Sequence, residues 1–216
     1  MSRHPHRKTE LHAPAVWPRV LPVVTVPSPE VAVNLAASLV RAGIPALEIT
    51  LRSEASLAAI TAIKNMFPDL AVWAGTVLNR HDASAAITAG AEGLVSPGFN
   101  AALVDYCQER HWPHVPGVNS PTDIEAAIRA KVTDLKFFPA VASGGIAMLQ
   151  AFAGPYPMVR FMPTGGIDAD NVAAYLALEN VFCVGGSWMA PDDEIARGDW
   201  DSIGQRLSTL RTLLDE

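Results

Sequence analysis

The sequence is poor in cysteine, in positive charge and in long apolar runs. Its 216 residues contain two cysteines, Cys107 and Cys183, which are too few for a disulfide framework and fit a reduced compartment. No apolar run is long enough to span a bilayer, and the first ten residues contain no apolar signal core. A formal net charge of −6 and a pI near 5.5 argue against nucleic acid or an anionic membrane as the main partner. We therefore expect a soluble, cytoplasmic globular protein.

Lysine is also scarce, and one of the four lysines lies in an unusual place. Lys8 is in the polar N-terminal segment, while Lys64 and Lys131 fall on or just after polar helical segments. Lys136 instead ends a short apolar run beside two phenylalanines. A lysine kept in apolar surroundings serves best as a nucleophile toward a carbonyl, because that reaction needs the neutral amine. A lysine that lines the interior and pairs with a carboxylate is an equally good interpretation of this stretch alone.

Short apolar segments alternate with helical patterns from Arg19 onward. The segments predicted as strands are Val20–Val26, Ala46–Leu51, Leu70–Gly75, Gly93–Ser96, His114–Gly117, Thr133–Phe138, Val159–Thr164 and Val181–Gly186. The predicted helices are Pro29–Ala42, Glu54–Met66, Arg80–Ala89, Asn100–Arg110, Ser120–Ala130, Gly145–Phe152, Ala169–Ala177 and Ser202–Leu214. Eight strand–helix units in a chain of this length predict an α/β fold, a single-domain (β/α)8 TIM barrel. An open doubly wound sheet is the alternative, but the first strand–helix turn lacks a GxGxxG pattern.

The domain prediction is an N-terminal arm over residues 1–18 and one catalytic barrel over residues 19–216. The arm is rich in histidine and broken by prolines. His4 and His6 could form a metal-binding pair, but no carboxylate or cysteine cluster completes a site, so a solvated arm is favoured. The strand ends also lack a His/Cys/Asp/Glu set with metal-ligand spacing, so we expect no metal.

Glycine pairs follow the last two predicted strands. In parallel barrels, ligands bind at the carboxyl ends of the strands and on the loops beyond them. Glycines let backbone N–H groups approach an oxyanion, and a serine adds a hydroxyl donor. One such pair is usually only a tight turn, but two on adjacent final loops favour a phosphate site. The residues predicted to form it are Gly165, Gly166, Gly186 and Ser187.

The second predicted strand carries a carboxylate in an apolar setting. Side-chain alternation places Glu48 on the face opposite Leu47 and Ile49, so it should point into the barrel. A buried carboxylate is costly unless it is paired or working. We therefore consider two interpretations, a structural ion pair with Lys136 or Arg52 and a general base close to the lysine. Arg52, beyond the strand end, suits bidentate binding of a carboxylate, to which Thr76 could add a hydroxyl.

The motifs at the strand ends, in this order and spacing, resemble those of the class I 2-keto-3-deoxy-6-phosphogluconate (KDPG) aldolases, which also act on 4-hydroxy-2-oxoglutarate (KHG). The resemblance runs from Arg19 to Leu207. The segments that carry it are RVLPV, ALEITLR, AGTVLN, LVSPG, PHVPGV, LKFFPA, MPTGGI and VGGSWM. LKFFPA favours the phosphogluconate enzyme over the related phosphogalactonate aldolase.

The resemblance implies a homotrimer without metal or organic cofactor that acts on a phosphorylated 2-keto-3-deoxy sugar acid. It makes Lys136 the Schiff-base lysine and Glu48 the general acid/base. The residues implied to hold the pyruvate carboxylate are Arg52 and Thr76, and those implied to bind phosphate include Gly165, Gly166 and Ser187. Further implied substrate-binding positions are Arg19, Pro97 and Phe138. The arm departs from the family pattern, since relatives often begin with a helix that packs on the barrel.

The activity implied by the resemblance is cleavage of KDPG to pyruvate and glyceraldehyde 3-phosphate, and of KHG to pyruvate and glyoxylate. A phosphogalactonate aldolase using the same residues is the nearest alternative. A non-catalytic phosphosugar-binding barrel is a third, but a binding protein has no need of a desolvated lysine beside a buried glutamate. A thiamine-phosphate-synthase-like or isomerase barrel would share the phosphate loops and not the pair of Lys136 and Glu48.

Overall fold

The computed structural model describes residues 17–215, and the side chains of the last helix as far as Arg211. Residues 1–16 lie outside the described part, and with them the His4–His6 pair and most of the predicted arm. Trp17 belongs to the predicted arm and is described. Its ring lies 4.4 Å from the ring of Trp73 and 5.1 Å from that of Phe182, between ring centres.

Short parallel strands form the framework of the described chain. They are β1 (Val20–Val24), β2 (Ala46–Thr50), β3 (Ala71–Gly75), β4 (Gly93–Val95), β5 (His114–Val115), β6 (Gly117–Val118), β7 (Asp134–Phe137), β8 (Arg160–Pro163) and β9 (Val184–Gly186). They pair in two sheets, one in the order β5-β4-β3-β2-β1-β9 and one in the order β6-β7-β8.

Helices follow the strands and cover them. They are α1 (Pro29–Arg41), α2 (Ser56–Met66), α3 (Arg80–Ala89), α4 (Ala101–Glu109), α5 (Pro121–Arg129), α6 (Gly145–Ala153), α7 (Val172–Leu176), α8 (Asp192–Arg197) and α9 (Trp200–Asp215). Among these described helices, none combines the length and the apolar character that crossing a membrane requires.

Pro116 divides the fifth predicted strand into β5 and β6. β5 pairs with β4 of the larger sheet, whereas β6 pairs with β7 of the smaller one. Proline has no N–H to donate to a ladder, although the Pro116 carbonyl accepts a hydrogen bond from Lys136 N at 2.9 Å. The predicted single strand His114–Gly117 is therefore two strands, and the chain passes from one sheet to the other between them.

The other ends of the two sheets meet at isolated bridges between the chain around β8 and the chain around β9. Phe161 bridges Val181, and Thr164 bridges Gly185, both in parallel. The described chain thus has an α/β fold with a curled parallel arrangement of strands. Its ladders divide into six and three strands, so they are not the single eight-stranded ladder of the prediction.

Side chains alternate between two buried clusters. The inner cluster consists of strand residues that face one another: Leu21, Ala46, Trp73, Val95, Val115, Met162 and Cys183. The outer cluster lies between strands and helices and includes Leu47 and Ile49. Ala46 and Glu48 therefore face the interior, which confirms the alternation predicted for β2.

Two helices near the carboxyl end differ from the prediction. The helix predicted over Ala169–Ala177 is shortened to α7, because the Asp168 carboxylate accepts hydrogen bonds from Asp170 N and Asn171 N and holds the residues before α7 in a turn. The short helix α8 was not predicted. It ends at Arg197, and the next residue, Gly198, has a φ of 69°.

The start of α5 gives a direct test of a predicted helix cap. Ser120 Oγ accepts a hydrogen bond from Asp123 N at 3.3 Å and donates one to Asp123 Oδ2 at 2.7 Å. We expect Ser120→Ala to lower the free energy of unfolding by about 1 kcal/mol, measured by urea denaturation. Ser120→Thr keeps the acceptor and should stay close to wild type, and equal losses in both variants would contradict the capping role.

Candidate active site

Lys136 and Glu48 meet across the interior of the strands. Lys136 Nζ lies 3.3 Å from Glu48 Oε1. Lys136 is on β7 and Glu48 on β2, in different sheets, so this contact joins the two sheets. Lys136 is 5% exposed and Glu48 is 0% exposed. The structure thus brings together the two residues predicted to carry the chemistry, in a geometry that suits an ion pair and a working pair alike.

The second oxygen of the Glu48 carboxylate is available to a reacting group. Glu48 Oε2 is buried and has no hydrogen-bond partner among the described residues. A buried carboxylate oxygen without a protein partner is costly, and such groups in native proteins are satisfied by a water or an ion or take part in a reaction. Glu48 can therefore hold Lys136 through Oε1 and exchange a proton through Oε2.

Gly75 makes room for Glu48. Gly75 ends β3 and is paired with Thr50 at the end of β2. An ideal Cβ at Gly75 would lie 2.6 Å from Glu48 Cδ, closer than real Cβ contacts come. Any side chain here would displace the carboxylate. Gly75 was not among the predicted site residues: the glycine is visible in the AGTV segment, but its contact with Glu48 emerges only from the strand register.

Arg52 lies just beyond β2 and is oriented by two hydroxyl groups. Its Nη2 donates to Thr25 Oγ1 at 2.8 Å, and its Nε donates to Thr50 Oγ1 at 3.3 Å. The side chain of Arg52 is exposed, so its terminal N–H groups are open to solvent and to ligands. Thr25 was not predicted as a site residue, because a threonine after a strand is too common to stand out.

Thr76 follows β3 in a conformation that favours glycine. Its φ is 60°, a left-handed value that costs an L residue with a Cβ about 1–2 kcal/mol. The next residue, Val77, is held firmly: its N–H donates to Val95 O at 3.1 Å, and its carbonyl accepts from Ser96 Oγ at 2.6 Å. Backbone strain of this kind persists where the surroundings fix it, and it is concentrated at functional sites.

His114 completes the support under Val77. The hydroxyl proton of Ser96 goes to Val77 O, so the 2.8 Å contact between Ser96 Oγ and His114 Nε2 has the imidazole as donor. Nδ1 is then the unprotonated nitrogen, and it is buried without a partner among the described residues. Burial lowers the pKa of His114 to about 4. The imidazole is therefore neutral at pH 7 and acts here as a hydrogen-bond donor.

The two predicted phosphate loops lie side by side. The bridge between Thr164 and Gly185 places Gly165 next to the start of the second loop. Gly165 and Gly166 have φ values of 101° and 78°, which glycine adopts without strain. Gly186 ends β9, and Ser187 follows it with an exposed side chain. The structure thus groups the four predicted phosphate-binding residues at the carboxyl ends of β8 and β9.

Phe138 and Pro97 also lie near Lys136. Lys136 Nζ is 5.4 Å from the centre of the Phe138 ring. Pro97 lies just after β4. The carbonyl of the next residue, Gly98, accepts a hydrogen bond from Gly117 N, and Gly117 is the residue that pairs with Lys136 in the β6–β7 ladder. Phe138 therefore borders the lysine, whereas Pro97 borders Gly117, the ladder partner of the lysine.

Arg19 is not brought to this site. It precedes β1 and so lies at the amino end of that strand, the end opposite Thr25. Its guanidinium donates to Leu176 O at 3.3 Å, at the last residue of α7. A parallel arrangement puts ligand-binding residues at the carboxyl ends of its strands, so the predicted substrate contact of Arg19 has no support in its position.

Cys183 lies in the inner cluster near Glu48. Burial, with a further contribution from the Glu48 carboxylate, raises the pKa of the Cys183 thiol well above its usual range. The thiol is therefore protonated and unreactive at pH 7. Cys107 is similar, with its pKa raised to about 11 by burial. Lysine is thus the side chain at this site that is suited to nucleophilic attack.

Comparison with known proteins places this site in a family. The family model described as "Aldolase: KDPG and KHG aldolase" matches residues 15–206. The chain belongs to the KDPG and KHG aldolase family. A 2-dehydro-3-deoxy-phosphogluconate aldolase of Treponema pallidum (strain Nichols) is 45% identical over 185 residues, which cover 86% of this chain and 88% of that protein.

Other members of the KDPG and KHG aldolase family are similar over the same extent. A KHG/KDPG aldolase of Escherichia coli (strain K12) is 43% identical over 184 residues, 85% of this chain and 86% of that one. A crystal structure of KDPG aldolase from Legionella pneumophila, with pyruvate captured as a covalent carbinolamine intermediate, has a TM-score of 0.86 and 39% identity, covering 88% of this chain and 93% of its own. These findings confirm the predicted resemblance.

The contact between Gly75 and Glu48 predicts a sharp effect of one methyl group. We expect Gly75→Ala to lower kcat/KM for KDPG at least about hundredfold, because it displaces the carboxylate of Glu48, the predicted general acid/base. The matched control is Gly98→Ala, where an added Cβ meets nothing within 4 Å. Circular dichroism checks that both variants are folded. Wild-type activity in Gly75→Ala would contradict the predicted contact.

His114 predicts a pH dependence of stability. Its folded-state pKa of about 4 lies below the ordinary histidine pKa of 6.5, so the unfolded chain takes up the proton first. Stability is therefore full above pH 6.5 and falls toward pH 4. We expect His114→Gln, which can still donate to Ser96, to lose less stability than wild type between pH 7 and pH 4, by at most about 3 kcal/mol. Denaturant titrations at both pH values measure the difference, and parallel losses would contradict a buried neutral imidazole.

Proposed function

We propose that this chain is a class I aldolase that cleaves KDPG reversibly to pyruvate and glyceraldehyde 3-phosphate, and also cleaves KHG to pyruvate and glyoxylate. The observation that carries the proposal is the buried contact between Lys136 and Glu48, found in a chain that belongs to the KDPG and KHG aldolase family. The matched E. coli protein is named for both activities.

The first chemical step is formation of a Schiff base. The neutral amine of Lys136 attacks the C2 ketone of the substrate, and loss of water leaves a protonated imine. The position of the lysine supports this role, because Lys136 is buried at the end of a strand and its Nζ lies 5.4 Å from the centre of the Phe138 ring, in the apolar setting in which nucleophilic lysines are found.

Glu48 moves the protons that the cleavage requires. It accepts the proton of the C4 hydroxyl as the C3–C4 bond breaks, and the electron pair of that bond flows into the iminium. The aldehyde leaves, and the remaining enamine is protonated at C3. Hydrolysis of the imine then releases pyruvate and restores Lys136. The unpartnered Oε2 of Glu48 supports an assignment of both proton transfers to that oxygen.

Two binding sites fix the cleaving bond between them. Arg52 and Thr76 hold the pyruvate carboxylate, and the loops after β8 and β9 hold the phosphate through Gly165, Gly166, Gly186 and Ser187. Both sets lie at the carboxyl ends of the strands, and Lys136 on β7 contacts Glu48 on β2 in the interior. Anchoring both ends converts cleavage into a positioned, unimolecular event.

We also propose the closed (β/α)8 barrel, the homotrimer and the cytoplasmic setting. The chain passes covalently from β5 to β6, and bridges join the chain around β8 to the chain around β9, which supports closure of the ring of strands. Both cysteines are unpaired and buried, which supports a reducing compartment. Analytical ultracentrifugation tests the trimer.

Borohydride trapping tests the lysine. We expect reduction in the presence of pyruvate to inactivate the protein and to leave a stable pyruvate adduct on Lys136, located by peptide mass mapping. Lys136→Arg should give no adduct. Lys131→Arg is the matched control, since Lys131 is an exposed lysine of the same region, and it should trap like wild type. An adduct on another lysine, or none, would contradict the proposal.

The stereochemistry at C4 separates the proposed function from that of a phosphogalactonate aldolase. We expect kcat/KM for KDPG to exceed that for its C4 epimer by at least about tenfold. With the substrate carboxylate and phosphate both held, only one configuration at C4 directs the hydroxyl toward Glu48. Steady-state assays on the two substrates measure the ratio. A ratio below one would assign the chain to the epimeric substrate.

A further inference from the structure

The guanidinium of Arg52 is held along one edge by a pair of hydroxyl groups. Nε and Nη2 form this side edge, and they donate to Thr50 Oγ1 and Thr25 Oγ1 at 3.3 Å and 2.8 Å. The two hydroxyl oxygens are themselves 2.8 Å apart and hydrogen-bonded. Thr25 and Thr50 therefore present two adjacent oxygens to Arg52, as a carboxylate would.

Arg160 shows the more usual arrangement, in which a carboxylate accepts the hydrogen bonds of the side edge. Its Nε and Nη2 donate to the two carboxylate oxygens of Asp134 at 2.9 Å and 2.7 Å. That arrangement orients a guanidinium and neutralises its charge. At Arg52 the hydroxyl pair supplies the orientation without the negative charge. Among the described residues, no carboxylate lies within ion-pair distance of Arg52.

The terminal edge of Arg52 remains available. A guanidinium has N–H donors along its side edge and along the edge formed by Nη1 and Nη2. The threonines use the side edge, so the terminal edge can still donate to both oxygens of a ligand carboxylate. The backbone on either side is tied down as well, because Ser53 Oγ donates to Val26 O at 2.7 Å and links the residue after Thr25 to the residue after Arg52.

The two threonine hydroxyls together have one proton that none of these hydrogen bonds uses. Each hydroxyl accepts from Arg52, and one of the two donates to the other. The hydroxyl that accepts this bond has a proton of its own, which has no acceptor among Arg52, Thr25 and Thr50. It can turn toward an anion bound at the terminal edge of Arg52.

We propose that Thr25 is a positioning residue that, together with Thr50, holds Arg52 with its charge intact and its terminal edge facing the substrate carboxylate. The proposal rests on the proposed aldolase function, in which Arg52 binds that carboxylate. Thr25 acts through Arg52 and touches no reacting atom. Loss of the Thr25 hydroxyl should therefore weaken the binding of ligands that carry a carboxylate and leave the binding of neutral ketones unchanged.

The test compares imine trapping with two ketones. Wild type, Thr25→Val and Thr25→Ser are reduced with borohydride over a range of concentrations of pyruvate and, separately, of hydroxyacetone, which has a ketone and no carboxylate. Thr25→Val preserves the shape of the side chain and removes the hydroxyl, whereas Thr25→Ser restores the hydroxyl. Thr209→Val is the matched control, because the Thr209 hydroxyl bonds Gln205 O within α9 at 3.1 Å.

We expect Thr25→Val to raise the pyruvate concentration for half-maximal trapping about tenfold, the effect of losing one charge-assisted hydrogen bond. Hydroxyacetone trapping should be unchanged, and Thr25→Ser and Thr209→Val should match wild type with both ketones. In turnover, KM for KDPG should rise with kcat nearly constant.

Two outcomes would overturn the inference while leaving the aldolase function intact. One is unchanged pyruvate trapping in Thr25→Val. The other is an equal loss of trapping with pyruvate and with hydroxyacetone, which would indicate general damage to the site. Absence of a Lys136 adduct in wild type would instead overturn the proposed function, and the role of Thr25 with it.

Discussion

The buried contact between Lys136 and Glu48 is the interaction on which the rest of the structure depends. Two charged groups can occupy the interior of a parallel sheet structure only if they satisfy each other or react. The strands therefore have to place β7 opposite β2, and Gly75 has to leave room for the carboxylate. The chain positions the pair on strands, and the predicted ligand-binding groups lie on the loops beyond the strand ends.

Networks of hydroxyl groups hold the predicted binding residues around this pair, and among the described residues they leave Arg52 without a carboxylate partner. Thr25 and Thr50 orient Arg52, and Ser96 with a neutral His114 supports Val77, which follows the strained Thr76. Neutral donors and acceptors fix geometry without consuming the positive charge that an anionic substrate needs. The same protein pairs Arg160 directly with a carboxylate, at the amino end of the strands and away from this site.

The sequence was enough to predict most strands, most helices and the meeting of Lys136 with Glu48 in the interior, because alternation within β2 and the scarcity of lysine leave few choices. Pro116 was visible too, but the consequence of its missing N–H, a strand shared between two sheets, depends on which neighbours pair with it. Gly75 and Thr25 were missed because their roles arise from register. Arg19 was predicted to bind substrate from the family resemblance alone, although its position before β1 already placed it at the amino end of that strand.

The most direct test of the division of labour between Lys136 and Glu48 is exchange of the pyruvate methyl hydrogens with D2O, followed by NMR. Wild type and the exposed-carboxylate control Glu54→Gln should exchange rapidly, because the imine forms and Glu48 moves the C3 proton. Glu48→Gln should still give the borohydride adduct on Lys136, with exchange slowed by roughly 10²–10⁴-fold. Exchange at the wild-type rate in Glu48→Gln would contradict the account.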